Sequence, residues 1–114
     1  MSYRWPTKDK DEILDYSVDW SRFLETATIA SVVWYVQTDD IGKTALAAGQ
    51  NLTTASGGSV TDSIQNISQT TTSTVATINL AGGVNNREYT FTCAMTDSTA
   101  SVAERTIKLR IREK

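Results

Sequence analysis

The sequence predicts an all-β protein, an immunoglobulin-like antiparallel β-sandwich that carries an extended N-terminal arm. Several segments alternate apolar and polar residues with a period of two, which is typical of half-buried β-strands. Turn-forming residues separate these segments at regular spacing, and no segment has a convincing helical pattern. The chain has 114 residues, which suits one domain, so we expect residues 1–11 to form the arm and residues 12–114 the sandwich.

The first predicted strand follows a charged run from Lys8 to Glu12. The side chains that would share its apolar face are Leu14, Tyr16, Val18 and Trp20. Asp15, Ser17 and Asp19 alternate with them and would face the other way, because successive side chains leave a strand on opposite faces. We therefore expect an exposed arm that leads directly into a strand.

The segment TIASVVWYVQT, residues 28–38, is the strongest strand signal because it is dense in β-branched and aromatic residues. Both of its predicted faces are largely apolar, with Val33 on one and Trp34 on the other. Such a strand is either central in a sheet or in contact with a partner. Residues 43–74 are instead rich in small and polar residues, and we expect short strands and long loops there.

The last third of the chain contains three further predicted strands, within residues 74–80, 88–96 and 104–114. The predicted core consists of Tyr16, Val18, Trp20, Val33 or Trp34, Ile78, Tyr89, Phe91, Cys93, Ile107 and Leu109. Trp34 and Tyr89 fall where immunoglobulin-like sandwiches place their core Trp and the Tyr of the tyrosine corner. The match is approximate, because Phe91 rather than Tyr89 lies two residues before the cysteine and no other cysteine is available for a disulfide.

The composition argues against several classes of function. The formal net charge is −2, which gives no field that attracts nucleic acid. The longest apolar run, residues 29–36, is far shorter than a membrane-spanning helix needs, and the N-terminus has no apolar region that predicts export. The chain has no His and a single cysteine, Cys93, so it offers neither a nucleophile with its base nor a zinc site. We expect no catalytic residue, no cofactor and no metal, and neither nucleic acid nor a membrane as partner.

Carboxylates are frequent in the arm and in the first strand. They lack the spacing of paired catalytic acids and of a calcium-binding loop, so we expect them to be solvated. Asp39, Asp40 and Asp97 belong to predicted loops. The sequence leaves open whether these three meet in one cluster that binds an ion.

Two aromatic residues of the arm, Tyr3 and Trp5, precede every predicted strand. They either pack on their own domain or present apolar surface to a partner, and aromatic anchors are common at the centre of protein interfaces. The charges that follow them in the arm suit the rim of such an interface. The residues predicted to contact a partner are Tyr3, Arg4, Trp5, Pro6, Lys8, Asp9 and Asp11.

Four segments together resemble a known family. They are WPTKDKDEILDYSVDW near the N-terminus, TIASVVWYV in the second strand, INLAGGVNNREYTFTCAMT in the last third, and the final ERTIKLRIREK. The small proteins of tailed bacteriophages called fiber-tail adaptors have a similar W-P-x-K-D-P-D-E-x-L-D-Y-x-x-D-W start, an apolar strand, and a late L-x-G-G segment before a charged strand. The resemblance covers most of the chain outside residues 43–73, and its first segment is the most specific. Lys10 departs from the family, which often has Pro there, so the arm lacks the restriction on φ that Pro imposes.

The resemblance implies a structural virion protein of a tailed bacteriophage, an adaptor that joins tail or portal-proximal components to tail fibers. It also implies several copies in a ring, partners among the other phage structural proteins, and a place in the phage tail after assembly in the host cytoplasm.

Two other classes of function stay open. One is an immunoglobulin-like surface-binding module, displayed on the virion, that recognises carbohydrate or a host surface through the loops of residues 50–72. No aromatic residue lies between Thr38 and Glu88 to stack on a sugar, which weighs against this alternative. The other class is an enzyme, which the missing catalytic groups disfavour.

Overall fold

A computed structural model describes residues 3–39, 41–52 and 62–112. Within these ranges the chain forms eight strands and one short helix. In chain order they are β1 (Tyr3–Arg4), β2 (Leu14–Asp19), α1 (Ser21–Leu24), β3 (Ile29–Gln37), β4 (Thr44–Ala45), β5 (Gln65–Thr71), β6 (Val75–Ala81), β7 (Glu88–Asp97) and β8 (Val102–Arg110).

The strands form two sheets. The five-stranded sheet has the order β1-β8-β7-β3-β4, and the three-stranded sheet has the order β2-β6-β5. Neighbouring strands are antiparallel except β1 and β8, which are parallel. The prediction of an all-β sandwich is confirmed. The sequence predicts an arm that lies outside every strand, and the structure corrects this, because the arm supplies β1. The finer classification as immunoglobulin-like stays a prediction.

The core lies between the two sheets and follows the period-two pattern of the sequence. On β7, Tyr89, Phe91, Cys93 and Met95 are all buried. Every residue of the predicted core is buried. At the position left open, the buried residue is Trp34, which is 1% exposed, and not Val33, which is 45% exposed. Trp34 pairs with the buried Cys93, and paired residues of neighbouring strands share a face of the sheet.

The turn before β7 forms a tyrosine corner. The backbone N–H of Val84 donates to the hydroxyl of Tyr89 at 3.1 Å, which ties the start of β7 to the connection that precedes it. The same hydroxyl donates to the carboxylate of Asp62, with O–O distances of 2.6 and 2.8 Å. Gly82 has a φ of 73°, and a Cβ at this position would lie 2.3 Å from the carbonyl oxygen of Ser63. The turn therefore requires glycine at this position.

Part of the Ser/Thr-rich region lies outside the described residues. The surface-binding alternative uses the loops of residues 50–72, and residues 53–61 of that stretch are not described. Among the described residues, no helix has the length and apolar character needed to cross a membrane.

Candidate functional site: the N-terminal arm

The arm is joined to β8 by backbone hydrogen bonds. Tyr3 pairs with Ile107 and Arg4 with Lys108 in the parallel register. Trp5 N–H then donates to the carbonyl of Lys108 at 2.9 Å. The short strand escaped sequence analysis because two residues are too few to display a period of two.

Further along, the arm forms an isolated bridge with the end of β8. The N–H of Lys8 donates to the carbonyl of Arg110 at 3.0 Å, and the N–H of Arg112 donates to the carbonyl of Lys8 at 2.8 Å. Lys8 thereby pairs with Ile111 as a parallel bridge. The arm therefore follows one edge of the five-stranded sheet from Tyr3 to Lys8.

Trp5 packs on its own domain. Its ring centroid lies 4.8 Å from that of Tyr16, 5.7 Å from that of Phe91 and 5.9 Å from that of Trp34. Its indole N–H donates to the carbonyl of Ser17 on β2 at 3.3 Å. Trp5 therefore connects the edges of the two sheets, and it is half-buried. A contact between its remaining exposed part and a partner stays a prediction, and the side chain of Tyr3 lies outside the described part.

Lys8 differs from its predicted place among the exposed charges of the arm. Its side chain is fully buried, with an exposure of 0%. The ammonium donates to the carbonyl oxygens of Asp9 and Gly82, each at 2.8 Å. Lys8 therefore fastens the arm to the connection after β6. No charge pattern predicts this burial, because both acceptors are backbone atoms and one of them is distant along the chain.

A hydrogen-bonded turn follows Lys8. The N–H of Asp11 donates to the carboxylate of Asp9 at 2.9 Å, and the N–H of Asp9 donates to the carboxylate of Glu12 at 2.9 Å. The N–H of Glu12 donates to the carbonyl of Asp9 at 3.1 Å. Asx-type bonds of this kind define a turn without proline, so the turn is ordered although Lys10 replaces the Pro common in the resembled family.

We refer to the exposed residues of the arm together as the arm surface. Its members are Arg4, Pro6, Thr7, Lys10 and Asp11. Arg4 donates to the carboxylate of Glu88 at 2.8 Å, and this hydrogen bond is the main cause that lowers the pKa of Glu88. The side chain of Asp11 is 78% exposed. The arm surface thus combines fixed backbone with charges of both signs.

A groove of about 280 Å³ runs beside the arm, between β2 and the edge formed by β1 and β8. Trp5, Val18 and Ile107 contribute its apolar part. Arg4, Asp19 and Arg105 contribute charged groups of both signs.

Asp39 and Asp97, two of the acidic residues considered for an ion site, do not meet. Asp97 pairs with Ile29 at the start of β3, whereas Asp39 follows Gln37 at the end of that strand. Nine extended residues place these ends about 26 Å apart, so Asp39 and Asp97 do not share one loop cluster. Asp40 lies outside the described residues. In the described ranges, no group of three or more His, Cys, Asp or Glu residues could hold a metal ion.

The single cysteine is placed as a core residue. Cys93 has an exposure of 0%, and desolvation raises the pKa of its thiol to about 11. Nucleophilic cysteines need a low pKa and access to solvent. The arrangement around Cys93 therefore favours packing and not thiol chemistry.

These features define a small two-sheet β module whose N-terminal arm is built into the sheet edge and presents a polar surface. The family model described as podophage GP4 fiber-tail adaptor protein gp77 matches residues 8–61, just under half of the chain. The match confirms the resemblance to the fiber-tail adaptor family. It covers Lys8, the turn that follows and the chain through β4. No curated protein matches the sequence.

Proposed function

We propose that the protein is a non-catalytic structural adaptor that joins tail or portal-proximal components of a podophage to its tail fibers. The observation that carries the proposal is the family match over residues 8–61. The burial of Cys93 and the separation of Asp39 from Asp97 support a role without chemistry. In this proposal several copies act in a ring, and assembly takes place in the host cytoplasm.

The predicted interface divides into two groups of residues. Trp5 and Lys8 hold the arm in place through the contacts described above, while Tyr3 and Asp9 supply backbone for β1 and for the turn. Arg4, Pro6 and Asp11 are exposed and are the residues we propose to contact a neighbouring protein directly. Exposed charges at an interface set orientation and association rate more than affinity, so the arm surface would act chiefly in positioning.

The experiment is phage assembly with charge-reversed arms. The variant Arg4→Glu combined with Asp11→Lys reverses the charge of two exposed side chains that we propose to contact the neighbour. The matched control is Arg22→Glu, which reverses an exposed charge on α1. We expect the arm variant to be depleted from purified particles while its melting temperature stays near that of the wild type.

Normal incorporation of the arm variant into particles would show that the interface lies outside the arm surface. Cryo-electron microscopy of wild-type particles tests the wider role. A position of this chain anywhere other than between tail and fiber components would overturn the adaptor proposal.

A further inference from the structure

A polar pocket of about 510 Å³ lies at the end of the five-stranded sheet. Residues 84–88 line one side of it, and Asp39 after β3 and Arg110 at the end of β8 complete its described lining. None of these residues lines the groove beside the arm. The pocket is therefore a second concave site on the molecule.

Backbone hydrogen bonds hold the walls of this pocket. The N–H of Asn86 donates to the carbonyl of Ile111 at 2.8 Å, and the N–H of Ile111 donates to the carbonyl of Arg87 at 2.9 Å. The N–H of Arg87 closes the turn on the carbonyl of Val84 at 3.1 Å. These bonds join the connection before β7 to the end of β8, so the pocket is formed before a ligand arrives.

The guanidinium of Arg110 lines the pocket without a counter-ion. Its Nε atom is buried and has no hydrogen-bond acceptor among the described residues. No ion pair found in the described ranges involves Arg110. A cation that is partly removed from water and has no acceptor is costly, and an anion that reached the guanidinium would offset this cost.

The nearby carboxylates are committed to other cations. Glu88 is the cross-strand neighbour of Arg110, yet its oxygens lie 2.8 Å from the guanidinium of Arg4 and 3.6 Å from the ammonium of Lys108. Arg87 lies 3.4 Å from a carboxylate oxygen of the buried Asp62. These contacts leave Arg110 free for a carboxylate from outside.

The lining also indicates the class of ligand. Asp39 is exposed at the pocket, and its charge opposes a doubly charged phosphate more strongly than a singly charged carboxylate. A guanidinium matches a carboxylate through two parallel hydrogen bonds. Pockets for small molecules are mostly apolar, whereas Val84 is the one apolar residue in the described lining. These points favour an acidic side chain of a protein.

We propose that this pocket binds the carboxylate of an Asp or Glu side chain of a neighbouring protein, and that Arg110 recognises it. Arg4 connects Glu88 at the pocket with the arm surface, so a protein that covers the arm surface also reaches the pocket. The inference rests on the proposed adaptor role only for the source of the acidic side chain. Recognition of the carboxylate is tested on the isolated protein.

The test is a titration of the isolated protein with two blocked tripeptides, followed by nuclear magnetic resonance. Acetyl-Gly-Asp-Gly-amide carries the carboxylate, and acetyl-Gly-Asn-Gly-amide is its uncharged match. Inorganic phosphate is the third probe, and the ionic strength is held constant because salt screens exposed charges. We expect the Asp peptide to shift the side-chain signals of Arg110 and the Asn peptide to leave them in place.

Three variants locate the binding. Arg110→Gln should weaken binding of the Asp peptide by at least about tenfold, because it removes a charge-assisted hydrogen bond. Asp39→Asn should strengthen binding, because it removes the opposing charge. Arg112→Gln is the matched control, since Arg112 is exposed, carries the same charge and lies outside the described lining. The control should leave binding nearly unchanged.

Equal weakening by Arg110→Gln and Arg112→Gln would overturn the pocket as the binding site. Equal binding of the two peptides, or tighter binding of phosphate than of the Asp peptide, would overturn the carboxylate as its ligand. Melting temperatures check that each variant folds, and Asp39→Asn, at an exposed position, decides the matter if Arg110→Gln unfolds. Absence of the chain from the tail–fiber junction of particles would defeat the adaptor role without altering these titrations.

Discussion

Tyr89 donates its hydroxyl proton to the carboxylate of Asp62, which is 3% exposed. The backbone N–H of Ile64 also donates to this carboxylate, at 3.0 Å, and Arg87 lies 3.4 Å from it. Desolvation is the largest cause that raises the pKa of Tyr89, and the hydrogen bond to Asp62 adds to it. The carboxylate of Asp62 thereby connects the residues just before β5 with the tyrosine corner at the start of β7.

Replacing Tyr89 with Phe should lower the free energy of unfolding by about 1.5–3 kcal/mol, because a buried carboxylate loses its shortest hydrogen bond. Urea unfolding at neutral pH measures the change. Tyr35→Phe is the control, since Tyr35 lies on the outer face of β3 and is only half-buried. A loss for Tyr89→Phe no larger than that of the control would show that the hydroxyl contributes little.

Phe91→Ala should lower the free energy of unfolding by about 3–5 kcal/mol, since Phe91 is completely buried and its removal leaves a cavity. Phe23→Ala provides the comparison on a residue that is 43% exposed. The same urea titration serves both variants. Equal effects of the two substitutions would contradict the assigned core.

Trp5→Ala should release the arm from the sheet edge and cost about 2 kcal/mol, less than a fully buried Trp because Trp5 is only half-buried. Hydrogen exchange gives the specific measurement. The amides of Trp5 and Lys8, which donate to Lys108 and Arg110, should exchange faster than in the wild type. The control is Arg4→Ala, which removes an exposed ion pair and should change stability by less than about 1 kcal/mol. Unchanged exchange in Trp5→Ala would mean that the backbone bonds alone hold the arm.

The carboxylate of Asp97 should make the free energy of unfolding depend on pH in the acidic range. Its carboxylate accepts the hydroxyl of Thr99 at 2.7 Å and the N–H of Ser101 at 3.0 Å, and such bonds, first that of Thr99, lower its pKa. Because the pKa is lower in the folded state, the stabilisation is present above about pH 4 and is lost as the pH falls through the folded-state value. The variant Asp97→Asn should therefore lose less stability than the wild type when the pH is lowered.

The measurement is the urea midpoint at pH 6 and at pH 3 for the wild type, Asp97→Asn and the exposed control Asp11→Asn. The control should retain the wild-type acid dependence. An identical drop in all three proteins would show that Asp97 does not carry it.

Chelation should leave the melting temperature unchanged, because Asp39 and Asp97 lie at opposite ends of β3 and cannot share an ion. A thermal scan with and without EDTA decides the matter. A clear decrease with EDTA would reveal a bound ion that stabilises the folded state.

The sequence was sufficient where many residues repeat one physical pattern. Four buried side chains alternate on β7, so the strand and its inward face were both predictable. The burial of Lys8 could not be predicted in this way, because it depends on acceptors such as the carbonyl of Gly82, which only the fold brings near the ammonium. The structural role of Asp62 could not be predicted for the same reason. Its partner Tyr89 is distant in the sequence, and only the fold brings the two side chains together.

The N-terminal arm combines features that the sequence predicts with features that it does not predict. The aromatic character of Trp5 predicts that this residue needs apolar contact, but the sequence leaves open whether its own domain or a partner provides that contact. The structure gives that contact to Tyr16 and Phe91 of its own domain. The partner of the exposed arm surface cannot be read from one chain, because the complementary surface belongs to another molecule.

The parallel course of the arm and β8 also determines how the molecule carries a mechanical load. The start of β1 and the end of β8 lie at opposite ends of one hydrogen-bonded ladder. Tension that pulls the arm toward Tyr3 and β8 toward Arg112 therefore acts along the ladder. It strains the bonds from Trp5 to Lys108 and from Lys8 to Arg110 together, in shear, whereas a hairpin pulled apart at its open end breaks one bond after another. A link stretched between two parts of a particle would hold until the whole ladder slides.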